Sequence, residues 1–277
     1  MTCQGVGRAE FTESLEELTL SQKLENARNL YLEGIRDGNA REAVTQYTGA
    51  WYTQHSTGVK DGVEGFVEFF EPFIARNPKR DIQIVRALED GPYVFLHVYQ
   101  SLNDGEAEWV TTDFFDTDED GKIIEHWDVI SVYAPQTPSG HTSIDGPTEV
   151  VDLEKTEENK QLVRDLIRDV LMKGGNPQNI DTYISDEQYI QHNADVPDGL
   201  EHFRPLALAE DKPLVYEEIV LLIGQGNFVA TLCKASWEDQ PLAQVDIFRI
   251  ENGKIVEHWD NAEPVPPEEE WANSGKF

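Results

Sequence analysis

Cysteine, methionine and basic residues are all scarce in this chain: two Cys, two Met and 22 Lys plus Arg stand among 277 residues that include 53 Asp plus Glu. Cys3 and Cys233 lie far apart and form no CxxC or metal-ligand spacing, so a reduced, cytoplasmic protein is expected. No stretch approaches the roughly eighteen consecutive apolar residues of a membrane span. The first twenty residues, with Glu10, Glu13, Glu16 and Glu17, lack the basic and apolar regions of a signal peptide. A formal charge of −31 repels phosphate backbones and anionic lipid, which argues against nucleic-acid and membrane partners. Neither a Gly-rich phosphate loop nor a Gly-x-Ser-x-Gly elbow is present, so no nucleotide cofactor is expected.

What the chain has in quantity is acid, spread evenly: the net charge is −14 before and −17 after a cut at residue 140. That is a surface property of both halves and not a tail. A solubility coat and an adaptation to an ion-rich cytoplasm both account for it. A 10% aromatic share and 39% hydrophobic residues supply folded cores.

The chain also repeats itself. Gly121-Lys122-Ile123-Ile124-Glu125-His126-Trp127-Asp128 recurs as Gly253-Lys254-Ile255-Val256-Glu257-His258-Trp259-Asp260. Upstream, Tyr52-Thr53-Gln54-His55 followed by Asp61-Gly62 and Phe66 matches Tyr189-Ile190-Gln191-His192 followed by Asp198-Gly199 and Phe203, and Asp113 with Phe115 matches Asp246 with Phe248. The period of about 135 residues is the size of a whole domain. The expected organisation is an extension over 1–20, a first domain over 21–135, a Pro/Gly/Ser-containing linker over 136–152 and a second domain over 153–277. The ends also correspond, with 264–277 occupying the place of 135–144.

In each copy helices come first. Ser21 can cap a helix with Leu24, Ala27, Leu30, Tyr31 and Ile35 on one face, matched later by Leu162, Leu166, Ile167, Val170 and Leu171. Another helix is predicted over 63–74, followed by strands over 82–88, 93–102, 109–115 and 123–133; the second set of strands is predicted over 215–223, 228–236, 243–250 and 255–261. Helices followed by an antiparallel meander define an α+β class with helices on one sheet face. Because alternate strand residues share a face, Ile124, His126, Asp128 and Ile130 should point one way and Trp127 the other. Trp109, Thr111, Asp113 and Phe115 should likewise travel together, as should Gln244, Asp246 and Phe248. Trp127 and Trp259 are then expected to pack between sheets.

These motifs resemble the SnoaL-like, polyketide-cyclase branch of the nuclear transport factor 2-like superfamily, and the resemblance extends over both halves. It implies two tandem cone-shaped α+β barrels, each with an apolar pocket, packed as an internal pseudo-dimer or assembling as a homodimer. It further implies a small apolar or carbonyl-containing ligand and cofactor-independent acid–base chemistry by an isomerase, cyclase, aldol-type lyase or hydrolase. Asp128 and Asp260 match the position of the family's general base, a role in which desolvation raises a carboxylate toward the working pH. His55 and His192 would then act as donors or proton shuttles across the cavity. His126 and His258 would orient the carboxylates, and His97, Asp113 and Asp246 would complete the polar set. Tyr52, Gln54, Tyr189, Gln191, Phe115 and Phe248 would contact substrate. Each Asp–His pair could equally be a satisfied structural pair. No helical His-x-x-x-His or Glu-x-x-His spacing supports a metal. Leu232 stands where the first copy has His97, which makes the second pocket the expected weaker one. A fold of this kind also hosts non-catalytic modules, so a binding or assembly role is the alternative.

Overall fold

Alternation of side chains along ten strands gives this chain two kinds of interior at once, one inside each unit and one between the units. In the computed structural model, residues 20–277 are described; the extension read over 1–20, Leu20 apart, and Cys3 lie outside them. The first unit runs α1 (Gln22–Asn29), α2 (Ala40–Tyr47), β1 (Thr48–Gln54), α3 (Gly62–Arg76), β2 (Arg80–Asp90), β3 (Tyr93–Leu102), β4 (Ala107–Thr117) and β5 (Ile123–Val132). Ser21 caps α1 by accepting the Leu24 N–H, and α1 continues into a wider π-helical segment over Leu30–Arg36. The second unit repeats the order as α4 (Thr156–Leu166) with its own π segment Ile167–Leu171, α5 (Ile180–Tyr183), β6 (Ile190–Gln191), α6 (Leu200–Leu208), β7 (Leu214–Gln225), β8 (Phe228–Trp237), β9 (Gln240–Glu251) and β10 (Lys254–Pro264). Among the described residues no helix is long and apolar enough to cross a membrane.

Each unit is α+β, with one five-stranded sheet in the order β1-β5-β4-β3-β2 or β6-β10-β9-β8-β7. The expected meander is present, and every predicted strand falls within an observed one except for Tyr133, which lies just past β5. What the sequence reading lacked was α2, α5, α6 and the closing strand: β1 lies parallel to β5, and the two-residue β6 lies parallel to β10. β1 carries polar and small residues, Thr48-Gly49-Ala50, so its composition hides it.

One face of each sheet holds the unit's own helices. Leu24, Leu30, Val44, Phe66, Leu96, Val98 and Phe115 belong to the first of these cores; Val163, Ile167, Tyr189, Tyr216, Val229 and Phe248 belong to the second. The opposite faces pack on each other. Phe95, Phe114, Trp127 and Val129 of the first unit form a single buried cluster with Phe228, Ala230, Leu232, Val245, Ile247 and Trp259 of the second. The parity expectation for Trp127 and Trp259 therefore holds. Polar ties cross the same seam: the Asn261 side chain donates to Val110 O at 3.1 Å, Gly224 N–H donates to Asp90 at 3.0 Å, and Lys160 pairs with Asp90 at 2.6 Å.

The connection after β5 is pinned by Arg86, which is buried and donates to the backbone carbonyls of Ile144 (2.9 Å), Asp145 (2.5 Å) and Pro147 (3.0 Å) while its guanidinium lies 4.0 Å from the Trp259 ring centre. Gly146, at φ +93°, passes so close to Trp259 that a Cβ would sit 2.9 Å from its ring. Because Trp259 is 1% exposed and central to the shared cluster, Trp259→Ala is expected to cost roughly 3–5 kcal/mol. A chemical denaturation curve with an unshifted midpoint would contradict this account of the seam.

Candidate active site

Between the helices and the inner face of each sheet lies a cavity, of about 310 Å³ in the first unit and about 340 Å³ in the second. The first is walled by aromatic residues of α3 and the sheet, among them Phe66, Phe70, Phe73, Trp109 and Phe115; the second is walled by Phe203, Leu206, Tyr216, Trp237 and Phe248. Strand register then sets the polar floor. Asp113 lies directly opposite Asp128 across β4 and β5, and Asp246 opposite Asp260 across β9 and β10. Two pairs further along, on the same face, His126 faces Phe115 and stacks on it at 4.6 Å between ring centres; His258 does the same with Phe248 at 5.0 Å.

In the first cavity His126 Nε2 is 2.8 Å from Asp113 Oδ1, and its Nδ1 is 3.1 Å from Gln54 Oε1. Gln54 in turn donates to the Tyr52 hydroxyl at 2.9 Å, and Tyr31 of the π segment donates to Asp113 Oδ1 at 2.8 Å. Asp113 Oδ2 is buried without a partner among the described residues. Burial raises the Asp113 carboxyl, with Asp128 adding to the effect and His126 opposing it. Asp128 behaves in the opposite way. Burial pushes it up, but the Lys276 ammonium 3.2 Å away, followed by His126 and Ser56, brings it below the ordinary aspartate value. The expectation of a carboxylate raised toward the working pH is therefore not met at Asp128, because a lysine from the far end of the chain neutralises it.

In the second cavity the same framework recurs: His258 Nε2 to Asp246 at 3.0 Å, Nδ1 to Gln191 Oε1 at 2.9 Å, and Gln191 to the Tyr189 hydroxyl at 3.1 Å. The tyrosine on the inner aspartate comes from a different element, Tyr216 of β7, at 2.9 and 3.0 Å. Asp260, half-buried and lining the cavity, receives the Asn193 amide at 2.8 Å and the Gln244 amide at 3.5 Å. No cation pairs with it among the described residues. Desolvation in the pocket raises its carboxyl; His258 works against this and Asp246 with it. For His258, burial disfavours the imidazolium, but Asp246 and Asp260 outweigh that and raise it. Tyr189 is buried and raised well above the ordinary phenol value, so it stays a protonated donor.

Three of the expected site residues lie elsewhere. Gln54 and Gln191 point inward from β1 and β6, so the next residues, His55 and His192, fall on the outer side. His55 stacks on Trp127 at 4.8 Å and contacts Glu125 at 2.8 Å; His192 stacks on Trp259 at 4.6 Å and contacts Glu257 at 2.8 Å. They are corrected from proton shuttles to interface residues. His97 is also an interface residue, 3.1 Å from Arg86, and burial holds it well below the ordinary imidazole value. Its replacement by Leu232 therefore removes nothing from the second pocket. Tyr52, Gln54, Phe115, His126, Asp113 and Asp128 are brought together, as are Tyr189, Gln191, Phe248, His258, Asp246 and Asp260. Tyr31, Tyr216, Asn193 and Lys276 were missed. Tyr31 was read only as a core position, and the parity of Tyr216 on β7 was the one available signal for it. Among the described residues no group of three His, Cys, Asp and Glu side chains is arranged to hold a metal ion.

With the geometry in place, comparison with known proteins adds a family. Residues 28–126, within the first unit, match the profile of the SnoaL-like domain, and the sheet of the second unit has the same strand order as that of the first. Similar solved structures include a putative polyketide cyclase from Bacillus cereus, 18% identical over 40% of this chain and 74% of that one, with a TM-score of 0.36. A putative polyketide cyclase from Acidithiobacillus ferrooxidans is 18% identical over 43% and 91%, TM-score 0.36, and an LEH-like epoxide hydrolase of M. tuberculosis is 16% identical over 40% and 83%, TM-score 0.33. No curated protein matches the chain.

The buried Tyr31–Asp113 bond offers a check on the network. Tyr31→Phe leaves Asp113 with one donor fewer in a dry site, and a loss of about 1–3 kcal/mol in urea unfolding is expected. An unchanged unfolding free energy would mean the hydroxyl is not bonded there.

Proposed function

We propose that this chain is a cytoplasmic, cofactor-independent acid–base enzyme acting on a small apolar carbonyl compound, with Asp260 as the general base. The observation that carries this reading is the Asp260 carboxyl, raised by burial and hydrogen-bonded by the neutral amides of Asn193 and Gln244, in an apolar cavity beside the His258–Asp246 pair. In the proposed step an Asp260 oxygen takes a proton from the carbon next to the carbonyl. The C–H electron pair forms the new C=C bond, and the charge moves to the carbonyl oxygen. Tyr189 supports that oxygen: its hydroxyl accepts from Gln191, leaving its own proton free to donate toward the ligand. His258, whose imidazolium form Asp246 and Asp260 favour and which Asp246 and Gln191 hold in place, offsets part of the charge of the two facing carboxylates. Whether the enolate is reprotonated elsewhere, closes a ring or expels a leaving group is decided by the ligand, consistent with an isomerase, cyclase or lyase.

The test uses 2-acetylnaphthalene, whose methyl ketone supplies an acidic C–H on a flat apolar body. Proton exchange into D2O, followed by NMR, should fall roughly 10²–10⁴-fold in Asp260→Asn. Because Asp260 must be ionised to act and its carboxyl is raised, exchange should decline on acidification with an apparent midpoint above the ordinary aspartate value of about 3.9. Equal exchange by wild type and Asp260→Asn would reject the assignment.

A further inference from the structure

We infer that Lys276 makes the first pocket a ligand-holding site without proton transfer, confining the chemistry to the second; the inference rests on the acid–base reading above. The segment after β10 leaves its own unit and lies along the rim of the other. Ala272 N–H donates to Thr57 O at 2.8 Å, Asn273 donates to Ser56 O and Val59 O at 2.6 and 2.9 Å, and Gly275 O lies 2.7 Å from His55 Nδ1. Gly275, at φ +112°, turns the chain where a Cβ would sit 2.4 Å from the Trp271 ring. The next side chain, Lys276, is thereby delivered into the protein at 2% exposure, with Nζ 3.2 Å from Asp128 Oδ1 and 3.0 Å from Glu263 Oε2.

The equivalent segment of the first unit reaches the second unit in the same way, with Thr142 O 2.8 Å from His192 Nδ1. There the correspondence stops. The following residue is Ser143, which turns back to Ala134 N at 3.1 Å, so Asp260 is met by the neutral amides of Asn193 and Gln244. Two aspartates facing each other across a ladder repel, and the two pockets relieve this differently. In the first an ammonium holds Asp128 as an anion of low basicity; in the second, Asp260 keeps a raised affinity for protons. The charged and titratable neighbours of Asp128 are Lys276, Glu263, His126, Asp113, Tyr31 and Tyr52. The cavity itself stays open at about 310 Å³ with an aromatic wall, so an apolar carbonyl ligand still fits. Lys276 acts through Asp128 and is a positioning residue.

Four measurements on the full chain decide the matter. Calorimetry with 2-acetylnaphthalene should give two equivalents bound in wild type and in Asp260→Asn, while Asp260→Asn exchanges protons only at background. Adding Lys276→Met to Asp260→Asn should restore exchange at least tenfold, and a further Asp128→Asn should abolish the gain; Lys276→Arg should stay silent. Carboxyl carbon NMR should find Asp128 titrating below the ordinary range in wild type and in Lys276→Arg, and higher in Lys276→Met. Asp128-dependent exchange in Asp260→Asn, a single equivalent of bound ketone, or Asp128 titrating at or above the ordinary range in wild type would each overturn the inference. If wild type exchanges nothing, the acid–base reading falls, while stoichiometry and the Asp128 titration still judge this one. Those two readouts also need no lysine variant, so a poorly folding Lys276→Met leaves the test intact.

Discussion

Two carboxylates placed opposite each other on adjacent strands, in a cavity with little water, cannot both remain charged unaided, and much of each unit is arranged around that constraint. Asp113 with Asp128 and Asp246 with Asp260 are such pairs. An imidazole bridges to the inner member in each, a glutamine from the parallel closing strand sets that imidazole's other nitrogen, and a tyrosine caps the inner carboxylate. The inner aspartates are thus structural anchors for the histidines. The outer aspartates, Asp128 and Asp260, line the cavities, in the second alongside Asp246, and the fate of the outer pair depends on which group reaches them from outside the ladder.

The same strands serve a second purpose on their other face. His126 and Asp128 look into the cavity, and Trp127 between them looks into the seam; His258, Asp260 and Trp259 repeat the arrangement. Motif residues that read as one block are therefore split between chemistry and assembly. The stacked His55–Trp127 and His192–Trp259 pairs, with Glu125 and Glu257 on the outer imidazole nitrogens, belong to the assembly side. Arg86 belongs to the assembly side as well, tying the interdomain connection to Trp259 from a position next to His97.

Repeats, the meander and the inward set of the last two strands were legible in the sequence because hydrophobic alternation and an eight-residue motif are local signals. The closing strand was not, because β1 opens on Thr48-Gly49-Ala50, β6 has only two residues, and both gain their order from the parallel partner. That omission alone misplaced His55 and His192: with Gln54 and Gln191 on strands facing inward, alternation sends the following histidines out. His97 lies on a strand that was read, and alternation there decides its place: Leu96 and Val98 face its own helices, so it must face the partner sheet. Lys276 left no local trace at all. It lies 148 positions from Asp128, and only the correspondence between 264–277 and the interdomain connection hinted that the end of the chain would return.

The crossed segments have an evolutionary corollary. In a dimer of identical subunits every side chain occurs at both symmetric sites, so a lysine gained at one rim is gained at both. Joining the copies into one polypeptide removes that restriction. The residue after Gly275 and the residue after Thr142 are encoded separately, and here one is Lys276 and the other Ser143. Fusion, on this view, did more than hold two units together: it freed each rim to evolve alone, so that twin cavities could come to differ in charge.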